Sequence, residues 1–368
     1  MTSTYEKTKD RIVFLDCMRI FAFISVLVGH KFYDQLEFAS QNQKLHITIR
    51  YLAEVLLPLC LGGAAGVIVF FLTSGYIITH VLQKEITTEF IVKRVFRIYP
   101  LYIFAVITEA LLARIIDGVE LPSISILIPR LLLIGDFFGT PLALAGVEWT
   151  LRVEICFYAY MALMRYFSIL QKPTIAVSVF LITAMIMFFA PQFPSAPGFS
   201  RGYLSTYGVF LFIGACFYIY ENNTKARNLC VFAILSMLAL FFFTISKSHQ
   251  TWMNSNYGIF AMAIFVAGWV LRGRMQYGPI IGVASNLTYA VYLFHNWMWG
   301  YIQIVVSKAE IAFVPLSMQI FVVLLVMCYL VHISIERYGL EIGKRTLGLI
   351  RTKKTYDFKP SQAPQTNR

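Results

Sequence analysis

Long apolar runs alternate with short polar breaks along most of the chain, and the runs are longer than a soluble core helix needs. A helix crosses the hydrocarbon core of a bilayer with about 20 apolar residues. On that measure the runs predict ten spans, at 12–32, 56–80, 99–116, 148–168, 173–190, 203–220, 228–246, 256–271, 286–307 and 312–335. The stretch 122–138 is shorter, starts at Pro122 and contains Pro129, Arg130 and Asp136, so it reads as a re-entrant or surface-lying piece on the external side. Counting it as a span would put Arg165 and Lys172 outside and invert every later loop.

The cations fall in the breaks. A leader with Lys7, Lys9 and Arg11, a loop with Lys84, Lys93, Arg94 and Arg97, the Lys225/Arg227 and Arg272/Arg274 loops, and a tail from Arg337 to Lys354 all carry Lys and Arg. Such residues concentrate on the cytoplasmic side. Ten spans with both termini cytoplasmic satisfy this bias at every inner loop. The expected organisation is a leader at 1–11, a membrane domain at 12–336 and a basic tail at 337–368 whose last fifteen or so residues are polar and disordered. The first run is long, carries charges and lacks a small-residue cleavage site, so it is not expected to be a signal peptide.

Composition agrees with an all-α, polytopic integral membrane protein. Of 368 residues, 58% are hydrophobic and 14% charged, with mean hydropathy +0.68; soluble domains carry about 25% charged residues. The net charge of +12 reflects topology rather than nucleic-acid binding, because the cations sit between apolar segments. Cys17, Cys60, Cys156, Cys216, Cys230 and Cys328 are scattered singly, without metal-ligand spacing, and read as reduced, buried thiols.

Four constellations bring ionisable groups into this apolar frame, where they are costly and usually face a protein interior or a watered path. The first span carries Asp16, Arg19 and His30. Arg19 and His30 are eleven positions apart, close to three helical turns, so they share a face about 16 Å apart along the axis. They can grip two parts of one long ligand. Asp16 lies one turn before Arg19, placed for a local ion pair. Asp34 lies one turn beyond His30 on a continuing helix, placed to fix its tautomer and leave the other nitrogen as a general base. The alternative is a packing histidine.

The second constellation is Lys93-Arg-Val-Phe-Arg-Ile-Tyr-Pro. It reads either as a topology anchor or as paired guanidinium groups for a phosphate-bearing ligand. The third, Glu148-Trp-Thr-Leu-Arg-Val-Glu154, sets Glu154 within the apolar part of its helix, as a site residue or in a salt bridge with Arg152 or Arg19. The fourth, Ser285-Asn-Leu-Thr-Tyr-Ala-Val-Tyr-Leu-Phe-His295, puts a second histidine among aromatics, either bonding between helices or serving the site.

In order along the chain, Leu15-Asp-x-x-Arg19 with His30, Phe70-Phe-Leu-Thr-Ser-Gly-Tyr, Arg94-x-x-Arg97-Ile-Tyr-Pro, Trp149-Thr-Leu-x-x-Glu154-x-x-Phe-Tyr and Thr288-Tyr-x-x-Tyr-Leu-Phe-His295 resemble the membrane-bound acyltransferase 3 family. Thr150 stands where Ser is common, which keeps the hydroxyl, and Ile20 where Gly is frequent. The resemblance implies transfer of an acyl group, most often acetyl, from cytoplasmic acetyl-CoA to a sugar hydroxyl of an exopolysaccharide, a lipopolysaccharide O-antigen or another oligosaccharide. It implies a bacterial inner-membrane protein with no resident cofactor or metal. The catalytic set is then His30 and Arg19 with Glu154 and Asp34. Arg94, Arg97 and Lys93 contact the donor phosphates, and Asp16, Ser74, Trp149, Tyr292 and His295 line or support the site. His30 either deprotonates the hydroxyl or accepts the acyl group itself.

A transporter of lipid-linked sugars or organic anions fits the same architecture. It predicts internal repeats and paired broken helices, for which Gly62-Gly63-Ala-Ala-Gly66 is the nearest candidate. A receptor is disfavoured by the number of buried charges, and succinyl or another short acyl group remains an alternative donor.

Overall fold

The computed structural model describes residues 12–195, 201–248, 256–311 and 313–356; the leader and the polar end of the tail lie outside these. Among the described residues there are helices and connections but no strands. In chain order the helices are α1 (Val13–Lys31), α2 (Tyr33–Gln41), α3 (Ile47–Cys60), α4 (Ala64–Lys84), α5 (Thr87–Ile116), α6 (Ile124–Leu131), α7 (Glu148–Tyr166) and α8 (Pro173–Phe189). They continue with α9 (Tyr203–Tyr207), α10 (Val209–Asn222), α11 (Arg227–Ser248), α12 (Asn256–Val270), α13 (Pro279–Phe294), α14 (Trp297–Val306), α15 (Leu316–Val331) and α16 (Arg337–Tyr356). Seven helical stretches among the described residues are long and apolar enough to cross a membrane, and α8 and α13 are shorter apolar helices.

Close packing centres on α4, which touches α1, α10 and α12. The α4–α10 crossing is made by glycines. A Cβ on Gly75 would overlap the Leu211 carbonyl, and one on Gly214 would overlap the Leu72 carbonyl. Small residues let backbones approach where lipid removes the hydrophobic drive between helices.

Several element boundaries differ from the sequence expectation. The expected span 56–80 is two helices, because Gly62 and Gly63 take φ of 57° and 70° and break the chain between α3 and α4. Glycine adopts this left-handed backbone without the Cβ penalty. The expected span 286–307 likewise starts earlier, at Pro279, and breaks at His295–Asn296. The loop holding Lys93, Arg94 and Arg97 is helical from Thr87 onward, with Pro100 inside α5. Proline removes the bond to the carbonyl four residues back, here that of Phe96. Over that point lies α16, whose Gly339 and Gly343 face Pro100 and Phe96. Residues 337–356, read as tail, are thus a helix seated on α5, and α15 passes into it through a π-helical turn at His332–Glu336.

The 122–138 segment contains only the eight residues of α6 and a short 3-10 turn at Gly135–Phe138. Eight residues rise about 12 Å, too little to cross. Tyr99 and Tyr102 on α5 donate to the carbonyls of Leu132 (3.0 Å) and Arg130 (2.8 Å). Arg152 on α7 pairs with Asp136 at 2.6 Å and, on the same buried side, with Glu148. Arg152 is therefore committed to the fold, and Glu154 is not its partner.

Candidate functional site

Asp16 and Arg19 come early on α1 and His30 near its end, so the helix spaces them by geometry alone. Ser285 on α13 donates to Asp16 Oδ1 at 2.5 Å, and Arg19 lies 4.0 Å from the same oxygen. Asp16 thereby ties α1 to α13 and braces Arg19.

Arg19 opens into an internal chamber with Arg94 and Arg97 from α5, Ser74 from α4 and Glu154 and Tyr158 from α7. The chamber holds about 800 Å³ of empty space, its mouth included. Glu154 accepts from Ser74 (2.8 Å) and Tyr158 (2.5 Å), so its carboxylate is held by neutral donors. Arg94 lies over the rings of Phe90 and Tyr158, and its buried Nε has no hydrogen-bond partner. Among the described residues no carboxylate pairs with Arg94 or Arg97. Three guanidinium groups against Glu154 and the Asp16 that braces Arg19 leave an excess of positive charge suited to an anion, and guanidinium forks suit phosphate.

A second chamber of about 700 Å³, measured the same way, contains His30, Trp149, Tyr207, His295 and Asn296. Val26, Val67 and Tyr292 line both chambers, so the two lie on either side of a shared boundary. Tyr292 is held there by a 2.6 Å bond between its hydroxyl and Thr150 Oγ1.

The histidines meet directly. His30 Nδ1 lies 2.9 Å from His295 Nε2, with the rings stacked at 5.1 Å between centroids. His295 Nδ1 lies 2.7 Å from the Tyr292 carbonyl, freed where α13 ends. A carbonyl only accepts, so His295 carries its proton on Nδ1 and, as a neutral ring, offers Nε2 as an acceptor. His30 must then donate from Nδ1, which leaves its Nε2 lone pair unprotonated. A neutral imidazole so fixed is a general base or a nucleophile. Beside it Lys31 reaches the Asn296 side chain at 2.9 Å and carbonyl at 3.3 Å, closing α1 onto the break between α13 and α14.

Three expected site residues stand elsewhere. Asp34 is exposed on α2, because α1 ends at Lys31 and the chain turns at Phe32; the orienting partner of His30 is His295. Lys93 faces away from the arginine chamber and pairs with Glu85 (2.5 Å) and Glu89 (2.9 Å). Glu154 sits with the arginines and not with His30. Arg19, Ser74, Arg94, Arg97 and Glu154 do come together, as do His30, Trp149 and His295, with Tyr292 between the groups. Sequence reasoning missed Lys31 and Asn296. Their one signal was that each directly follows one of the two intramembrane histidines.

Residues 12–335 match the family described as an acyltransferase domain. The chain is 28% identical over 206 residues to acyltransferase MdmB of Streptomyces mycarofaciens. That match takes in 51% of this chain and 50% of that protein, so the chain spans about half the length of this relative. No solved structure matches it. Spanning nearly all of the helical domain, the family match and the ordered motifs agree, and the chain belongs to the acyltransferase 3 family.

Proposed function

We propose that the protein is an O-acyltransferase of the bacterial inner membrane that moves an acyl group, acetyl in the first instance, from a coenzyme A thioester to a hydroxyl of an envelope or secreted glycan. The observation that carries the reading is that Val26, Val67 and Tyr292 separate a chamber holding three arginines from one holding the His30–His295 pair. The donor's phosphates bind Arg19, Arg94 and Arg97, and its flexible arm reaches past Tyr292 towards His30. The distance from Arg19 to His30 along α1, about 16 Å, calls for a donor with a long arm between its charged head and its reacting atom.

His30 Nε2 removes the proton from the acceptor hydroxyl, and the oxygen attacks the thioester carbonyl. The carbon–sulfur bond breaks, and the thiolate leaves with the proton that His30 took up. His295 holds the ring in the required tautomer through both transfers. The basic residues of α5 and α16 support a donor chamber on the cytoplasmic side by the charge rule, with His30 towards the outer face.

Purified protein in detergent, given coenzyme A thioester labelled on its acetyl group together with envelope glycans, should release thiol and label the glycan. His30→Ala and Arg19→Ala should each lose both signals. Wild-type transfer that persists in His30→Ala removes the mechanism. Succinyl and other short thioesters run in the same assay identify the donor, and absence of thiol release with every thioester favours a transporter.

A further inference from the structure

The histidine chamber shares a wall with a wider cleft between the second half of α5, the segment 119–130, the loop 141–145 and α14. Ala145, which is exposed, lines both spaces. Asn296 secures the junction by donating to the Ala145 carbonyl at 3.0 Å. The cleft holds about 1400 Å³ of empty space with its mouth, twice the histidine chamber. It therefore admits an extended ligand whose end passes the Ala145 wall towards His30.

Its chemistry is opposite to that of the arginine chamber. Glu109, Asp117 and Glu120 line it against the single guanidinium of Arg130. Glu109 holds the loop from below, accepting from the amides of Leu144 (2.8 Å) and Ala145 (3.2 Å), and Asp117 accepts from the Tyr301 hydroxyl at 2.6 Å. Ionised carboxylates only accept hydrogen bonds, so they favour hydroxyl and ammonium groups and repel anions. Trp297 and Tyr301 add aromatic bodies with polar edges, suited to a ligand with apolar faces and hydroxyl rims. Between them Gly300 leaves the wall open: a Cβ there would meet nothing within 4 Å.

We propose that this cleft binds the acceptor and selects a hydroxyl-rich, ring-built ligand that is neutral or amine-bearing, excluding anionic glycans. The inference rests on the reading that His30 acylates a hydroxyl. Opposite charge at the two ends keeps the phosphate-bearing donor out of the acceptor cleft and the acceptor out of the donor chamber.

The test is a panel of immobilised neutral, aminated and carboxylated oligosaccharides, probed with the detergent-solubilised full chain and its Gly300→Trp and Glu120→Lys variants. Wild type should retain neutral or aminated members. Gly300→Trp, whose Cβ meets nothing within 4 Å, should weaken that retention about tenfold or more. Glu120→Lys should weaken aminated members selectively. Labelled acetyl transfer to the retained members is followed in parallel. Binding that Gly300→Trp loses, with no transfer by wild type, keeps the cleft and sinks the transferase reading. Transfer with an unchanged acceptor KM in both variants sinks the cleft alone. Retention of carboxylated members only, or of none, overturns the proposal.

Discussion

His30 depends on a residue 265 positions away. One carbonyl, that of Tyr292, sets the tautomer of His295, and His295 in turn sets that of His30. His295→Phe keeps an aromatic ring but removes both bonds. Losing such a bond at a buried site costs about 1–3 kcal/mol, so turnover should fall about 5- to 150-fold with little change in donor KM, as steady-state kinetics would read. A raised donor KM with unchanged kcat would instead place His295 in donor binding. Residue-scale reading also separates three neighbouring cations. Arg94→Ala and Arg97→Ala each remove a charged donor worth about 1.5–3 kcal/mol, and donor KM should rise about 10- to 150-fold. Lys93→Ala should leave it unchanged, because Glu85 and Glu89 already hold that ammonium. Isothermal binding of coenzyme A to the three variants checks the order.

At the scale of elements, two kinds of contact fix where the chambers lie. The glycine crossing of α4 and α10 has no room for a methyl group on either side. Gly75→Ala and Gly214→Ala should therefore each destabilise the protein by about 1–3 kcal/mol, read as a lower unfolding midpoint in detergent, whereas Gly300→Ala should not move it. The second contact is the buried ion cluster of Arg152, Glu148 and Asp136, which pins the 122–138 segment to α7. Removing the shared cation leaves two carboxylates unmatched, so Arg152→Met should cost about 3–5 kcal/mol by the same measurement. Wild-type stability in that variant would show that the carboxylates find protons or water.

At the scale of the molecule, the proposed transfer requires the two chambers to communicate. Val67→Trp places an indole at the boundary that both chambers share. Coenzyme A should still bind the arginine chamber, while transfer falls about a hundredfold, the loss that a small misplacement of reacting groups produces. Retained binding also reports that the variant has folded. Equal loss of binding and transfer would mean that Val67 is part of the donor site itself.

The sequence by itself determined the helical, membrane-length pattern, the short 122–138 piece and most helix bodies, because apolar run length and charge placement are local properties. It also determined which residues are chemically costly in an apolar frame, and so named Arg19, His30, Arg94, Arg97, Glu154 and His295. Only the tertiary structure decided their partners. Asp34 follows His30 by four positions, yet the chain turns at Phe32 and carries it away. Lys93 and Arg94 are adjacent, yet helical rotation sends one to Glu85 and the other to the chamber. The glycines marked 62–66 as a candidate break, but the break at His295–Asn296 was hidden inside a continuous apolar run, since hydropathy does not register backbone dihedral angles. Hydrogen bonds and ion pairs are short-ranged and directional, so which of several costly groups meet depends on how helices far apart in sequence cross, and no local pattern encodes that crossing.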